Sequence, residues 1–135
     1  EAALAPDTLD DLLKGEVHLD MARVFVAQEQ YDQAKNEFAI VHQLVPEDPL
    51  GWLLSATLAR RTGDLVTAKS DIAEAAKRAG TDPAVALEAG NIAYQAGDVV
   101  NAKSNWEQAV KFGPDSPSAK AAKRYLAQLV TSAEE

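Results

Sequence analysis

The 135-residue chain has no cysteine, which excludes disulfides and thiolate chemistry and suits the cytoplasm and the periplasm equally. Its two histidines, His18 and His42, fall in separate segments, with nothing placing a serine nucleophile and a carboxylate beside either. The Asp10-Asp11 pair sits on adjacent residues, which point to different faces of a helix. It reads as a solvated helix start rather than a catalytic dyad. There is no metal-ligand cluster and no phosphate-cradling glycine loop, because the glycines sit where turns and caps belong. The expectation is a protein that is not an enzyme and needs no cofactor or metal.

Long apolar runs are missing too, and nothing approaches the ~18 residues that span a bilayer. No secretory n-region, h-region and cleavage site is found. The chain opens on Glu1 rather than Met, so it is expected to be a fragment or processed form, with any signal or anchor lying upstream. Basic excess is also lacking. Residues 1–50 hold eleven Asp/Glu against three Lys/Arg, which accounts for the whole net charge of −8. Phosphate backbones are repelled by the first third and gain nothing from the balanced remainder. Nucleic acid and anionic membrane are poor partners for such a surface.

What is present is a period. Residues 83–116 read PAVALEAGNIAYQAGDVVNAKSNWEQAVKFGPDS, and a shift of 34 residues finds two earlier copies without a gap. Gly97, Ala102 and Ala109 match Gly63, Ala68 and Ala75, and then Glu29, Ala34 and Val41. Apolar residues recur at helical spacing on either side of each turn. Predicted helices cover 16–28 and 31–45, then 50–61 and 65–79, with the same pair repeated in the third copy. Pro46-Glu47-Asp48-Pro49 and Gly80-Thr81-Asp82-Pro83 punctuate the copies, since proline is tolerated only in a first helical turn. Val17, Met21, Val24 and Phe25 recur at helical spacing in the first of these helices.

The ends depart from the period. Residues 1–6 are expected to be frayed, with Asp7 or Thr8 capping a helix and Leu9, Leu12 and Leu13 forming a short apolar face. Segment 1–14 is then either a helical extension across Gly15 or a separate turn. After Ser116 the register is read as changing. A closing helix over 117–131 turns Ala122, Tyr125, Leu126, Leu129 and Val130 inward and Lys120, Lys123, Arg124 and Gln128 outward, covering the last repeat's apolar face. Residues 132–135 are expected to be a disordered tail.

The 34-residue helix–turn–helix period, with its small residues, turns and closing prolines, resembles the tetratricopeptide repeat (TPR) family over roughly residues 15–130. Repeats are placed at 15–48, 49–82 and 83–116. Ala34, Ala68 and Ala102 mark the close helix crossings, with Phe38, Ile72 and Trp106 filling the space beyond and Ala22, Ala56 and Gly90 as small partners. The resemblance implies an all-α, right-handed superhelical solenoid, irregular where Glu29 replaces the turn glycine and where Ala59 and Ala93 replace a tyrosine.

It also implies a concave groove along the first helices that holds an extended or helical peptide. The groove rows are Leu19/Leu53/Leu87, Arg23/Thr57/Asn91 and Val26/Arg60/Tyr94. The competing reading is that the leucines complete packing between repeats. Arg23 and Arg60 suit an acidic side chain of the ligand or simply a solvated helix face. The carboxylate-clamp subtype is disfavoured, because its basic positions fall at Leu19, Ala84 and Glu88. The function expected is a non-catalytic protein-interaction scaffold, in style resembling those of bacterial assemblies or envelope complexes. The alternative is a self-association domain of a longer protein.

Overall fold

A computed structural model describes the backbone of residues 4–134 and the side chains of residues 9–131. Seven α-helices and no strand occur among them: α1 Leu4–Ala27, α2 Tyr31–Leu44, α3 Pro49–Arg61, α4 Leu65–Arg78, α5 Pro83–Gln95, α6 Val99–Phe112 and α7 Pro117–Glu134. Among the described residues no helix is long and apolar enough to cross a membrane. The chain is an all-α helical-repeat solenoid of three hairpins, α1–α2, α3–α4 and α5–α6, with α7 packed on the last.

The repeat boundaries are set by side-chain caps. Asp48 accepts from Leu50 N at 3.0 Å and Asp82 from Ala84 N at 2.9 Å, each just ahead of a proline at a helix start. Within the hairpins Asp64 accepts from Thr67 N and Asp98 from Asn101 N, both at 3.1 Å. The preceding glycines, Gly63 and Gly97, have φ of 84° and 85°, the left-handed region that only glycine enters freely. The first hairpin keeps this backbone without these side chains. Glu29 takes a φ of 60°, and Gln30 makes no side-chain cap.

Three apolar clusters follow the repeats. Leu19, Ala22, Ala34, Phe38, Val41 and Leu58 form the first. Ala56, Ala59, Ala68, Ile72, Ala75, Val85 and Ile92 form the second. The third gathers Ala86, Ala102, Trp106, Ala109 and Ala122, with Tyr125, Leu126 and Leu129 of α7 against it. The alanines at the helix crossings are fully buried. Gly90 is a close approach of the same kind, since a Cβ there would overlap the Trp106 indole.

Both ends differ from expectation. Helix α1 begins at Leu4, so Asp7 and Thr8 lie inside it rather than capping it, and it continues through Gly15 against Val45. Residues 1–3 of the expected frayed segment lie outside the described residues. Of the apolar residues recurring at helical spacing in α1, Val17, Met21 and Val24 are exposed and Phe25 packs against the core. At the other end α7 reaches Glu134, so residues 132–134 are helical; Glu135 lies outside the described residues. Val130 is 60% exposed, although it was expected to be inward.

The register does not change after Ser116. Pro117 stands 34 residues beyond Pro83, as Pro83 stands beyond Pro49. Ser116, at the position of Asp48 and Asp82, caps α7 by accepting from Ala119 N at 3.0 Å. Helix α7 therefore occupies the place of the first helix of a fourth repeat.

Candidate functional site

The nine expected groove residues separate into three sets. The leucine row belongs to the interior: Leu19 is only 6% exposed, and half-buried Leu53 and Leu87 pack against the second and third clusters. Leu19 therefore adds no open surface to the expected leucine strip, whereas Leu53 and Leu87 keep part of theirs.

Arg23, Val26 and Thr57 line a shallow depression of about 130 Å³ with Phe38, Leu54, Leu58 and Arg61. Arg60, Asn91 and Tyr94 line a larger cavity of about 640 Å³ with Gln95, Trp106, Tyr125, Gln128 and Leu129. Tyr94 is 52% exposed. Its ring centroid is 5.6 Å from that of Trp106, which lies 5.2 Å from that of Tyr125, so three aromatic rings run from α5 through α6 to α7.

Charge inside this cavity is compensated. Arg60 Nε donates to Glu88 Oε2 at 2.5 Å, and its Nη2 donates to Oε1 at 3.3 Å. The Thr57 hydroxyl donates to the same Oε1 at 3.0 Å, and Gln95 Nε2 donates to the Arg60 carbonyl at 3.0 Å. Glu88 is buried, and a buried carboxylate persists only when paired and hydrogen-bonded. Arg60 is thus committed to the protein itself. Asn91 Oδ1 accepts from Trp106 Nε1 at 3.1 Å, satisfying the one polar atom of the indole. The lining that remains is aromatic rings, neutral amides and Leu129.

Sequence reasoning missed Glu88, Gln95, Tyr125 and Gln128 as groove residues. The period carried a signal for two of them. Tyr125 lies 34 residues after Asn91 and Gln128 lies 34 after Tyr94, so each extends a row by one repeat. Gln128, expected to point outward, lines the cavity.

A second polar cluster lies between α2 and α4. His42 stacks on Trp52 with centroids 3.7 Å apart and planes within 10°, and the Arg78 guanidinium sits 5.2 Å from the Trp52 ring. Ser55 Oγ donates to Asp71 Oδ2 at 2.6 Å. Burial lowers the pKa of His42 from 6.5 and raises that of Asp71 from 3.8. Trp52 Nε1 donates to the Pro46 carbonyl at 2.8 Å, holding the inter-repeat loop on the stack. The other histidine, half-buried His18, meets Glu37 at 2.6 Å across the first hairpin.

A model of the tetratricopeptide repeat family matches residues 19–84, from the first hairpin to the start of the third. Residues 19–84 carry tetratricopeptide repeats. Solved TPR structures share the fold over most of their length. SycD, the type III secretion chaperone of Yersinia enterocolitica solved with a peptide of the translocator YopD, superposes with a TM-score of 0.77 at 17% identity, over 87% of this chain and 89% of that one. PcrH with the chaperone-binding region of PopD gives a TM-score of 0.80 at 20% identity, over 93% and 96%. The first TPR of Spaghetti (RPAP3), bound to the HSP90 peptide SRMEEVD, gives 0.78 at 18%, over 88% and 94%. No curated protein matches the sequence.

Proposed function

We propose that this TPR domain is a non-catalytic scaffold that holds a partner peptide or helix on the face formed by its first helices. The observation that carries this reading is the cavity of about 640 Å³ at Arg60, Asn91, Tyr94, Tyr125 and Gln128, where α3, α5 and α7 each contribute. Volumes of this size accept side chains of a docked segment, and half-exposed tyrosines make strong anchors at low entropic cost. The similar structures of SycD, PcrH and RPAP3 each hold a peptide or binding region of another protein, which favours the same kind of work here.

The compensated charge narrows the ligand. With Arg60 paired to Glu88, the cavity offers rings and amides to an apolar or neutral polar segment rather than to an acidic one. Arg60, spent on buried Glu88, is not free to hold a ligand's terminal carboxylate. The setting we favour is a bacterial multiprotein assembly, on the likeness to a type III secretion chaperone.

Linear peptides selected from a displayed library against the domain provide the test. An enriched peptide should lose affinity at least tenfold for the Tyr94→Ala, Gln128→Ala double variant, with helicity unchanged. Equal affinity for the variant contradicts the assignment.

A further inference from the structure

The second apolar surface of this domain is on α1, away from the cavity. Leu9, Leu13, Val17 and Met21 follow one another in steps of four, with Leu12 and Val24 beside them, and all six are exposed. Val17 is 57% exposed at the middle of the row. Next to it lies a depression of about 320 Å³ bordered by Val17, Asp20, Met21, Val24 and Phe25.

The period explains why these residues are apolar. The counterparts of Val17 in the later repeats are Gly51 and Val85, and those of Val24 are Leu58 and Ile92. All four counterparts are buried, beneath the preceding repeat. In the first repeat no described residue covers the corresponding face of α1. The other end of the solenoid is closed by α7, and a solenoid end without such a cover is a sticky surface.

We propose that this ridge pairs with the same ridge of a second copy, joining two domains end to end about a two-fold axis near Val17. Length favours a second copy over another repeat hairpin. Helix α1 has 24 residues, roughly 36 Å, whereas α2 to α6 have 13 or 14, roughly 20 Å. Leu9, Leu12 and Leu13 lie in the extra length and would stay uncovered under a helix of repeat size.

The pattern is also self-complementary. An antiparallel pair centred on Val17 sets Leu13 against Met21 and Leu9 against Phe25, at the depression, as an isologous interface requires. Rows spaced by four residues interdigitate in the commonest mode of helix packing. Six side chains exposed to this extent present roughly 500 Å² of apolar surface, at the upper end of what monomers leave bare. Two such faces remove roughly 1,000 Å², the lower bound for a specific interface.

Acidic flanks act against the pairing. Asp10, Glu16 and Asp20 border the ridge, while Lys14 is held by Asp10 at 2.9 Å. Like charges brought together across the axis weaken the dimer at low ionic strength, and added salt screens them.

Sedimentation equilibrium of the chain tests the proposal. The expected mass is twice 14.4 kDa, with association tightening at least threefold from low to moderate salt. Leu13→Asp with Met21→Asp should return the mass to 14.4 kDa while circular dichroism stays helical. Should that variant unfold, the milder Val17→Ser should still weaken association at least tenfold. The chain has no cysteine of its own, so Val17→Cys should cross-link to itself on oxidation, and Tyr94→Cys should not. A monomeric wild type, or a dimer that cross-links through Tyr94→Cys instead, overturns the proposal. Neither result bears on peptide binding at the cavity, which uses other residues.

Discussion

Trp106 Nε1 donates to Asn91 Oδ1 at 3.1 Å while the indole ring covers Gly90 one residue earlier, so a single side chain ties α6 to α5 by a hydrogen bond and a backbone contact. The same ring supports Tyr94 and Tyr125, the two tyrosines that line the cavity. Trp106→Ala should cost about 3–5 kcal/mol in urea titration through the void it leaves. Gly90→Ala should cost about 1–3 kcal/mol, because the indole must move to admit the methyl group. If Gly90→Ala is neutral, the close approach is not what fixes that position.

Glu88 is buried beneath the groove face with Arg60 and Thr57 as its partners. Removing one member of a buried ion pair leaves the other uncompensated. Glu88→Ala should therefore destabilise by about 2–4 kcal/mol, reduced from the fully buried case because Arg60 retains some contact with water. A loss below about 0.5 kcal/mol, the range of exposed pairs, would place this pair with surface ion pairs.

The first hairpin should be improvable by its own repeats. Glu29 holds a left-handed backbone that costs a side-chain-bearing residue about 1–2 kcal/mol, part of which glycine's greater freedom in the unfolded chain offsets. Glu29→Gly should raise stability by about 0.5–1 kcal/mol. Gln30→Asp, which supplies the cap found at Asp64 and Asp98, should add about 1 kcal/mol. A lower urea midpoint for the double variant would contradict this account of the turn.

His42 and Asp71 give the stability curve a direction. Burial lowers the pKa of His42 below 6.5, so the unfolded chain takes up the proton first. Stability from this group is full above pH 6.5 and is lost as pH falls through 6.5 towards the folded pKa. The raised pKa of Asp71 works in the opposite sense and in a more acidic window, from 3.8 up to its folded value, where stability falls as pH rises. His42→Phe, which keeps a ring on Trp52, should flatten the loss of stability just below pH 6.5. An unchanged slope there would assign the loss to other groups.

The fold was legible because its signals are local and repeated. Alanine at the crossings, glycine in two turns and Asp-Pro before two helices each act within a few residues, and all of them agree with the period. Leu19 lies buried in the first cluster, and helical spacing finds a shared face without showing which side chains cover it. Val17 and Val24 keep the helical spacing of a core face but stand exposed, which spacing alone does not reveal. Glu88 could not be read at all. Its burial depends on Arg60, 28 residues away on another helix, and no local pattern links the two. Tyr125 and Gln128 were within reach of the period and were lost when the register was taken to end at Ser116.

The central claim is that partners are held at the cavity between α3, α5 and α7. It is tested most directly by nuclear magnetic resonance titration of the labelled domain with a library-selected peptide. Amide and side-chain shifts should concentrate on Arg60, Asn91, Tyr94, Gln95, Tyr125 and Gln128, with His42, Asp71 and the α1 ridge unmoved. Shifts centred on the α1 ridge or on the His42–Trp52 stack, with the cavity silent, would contradict it.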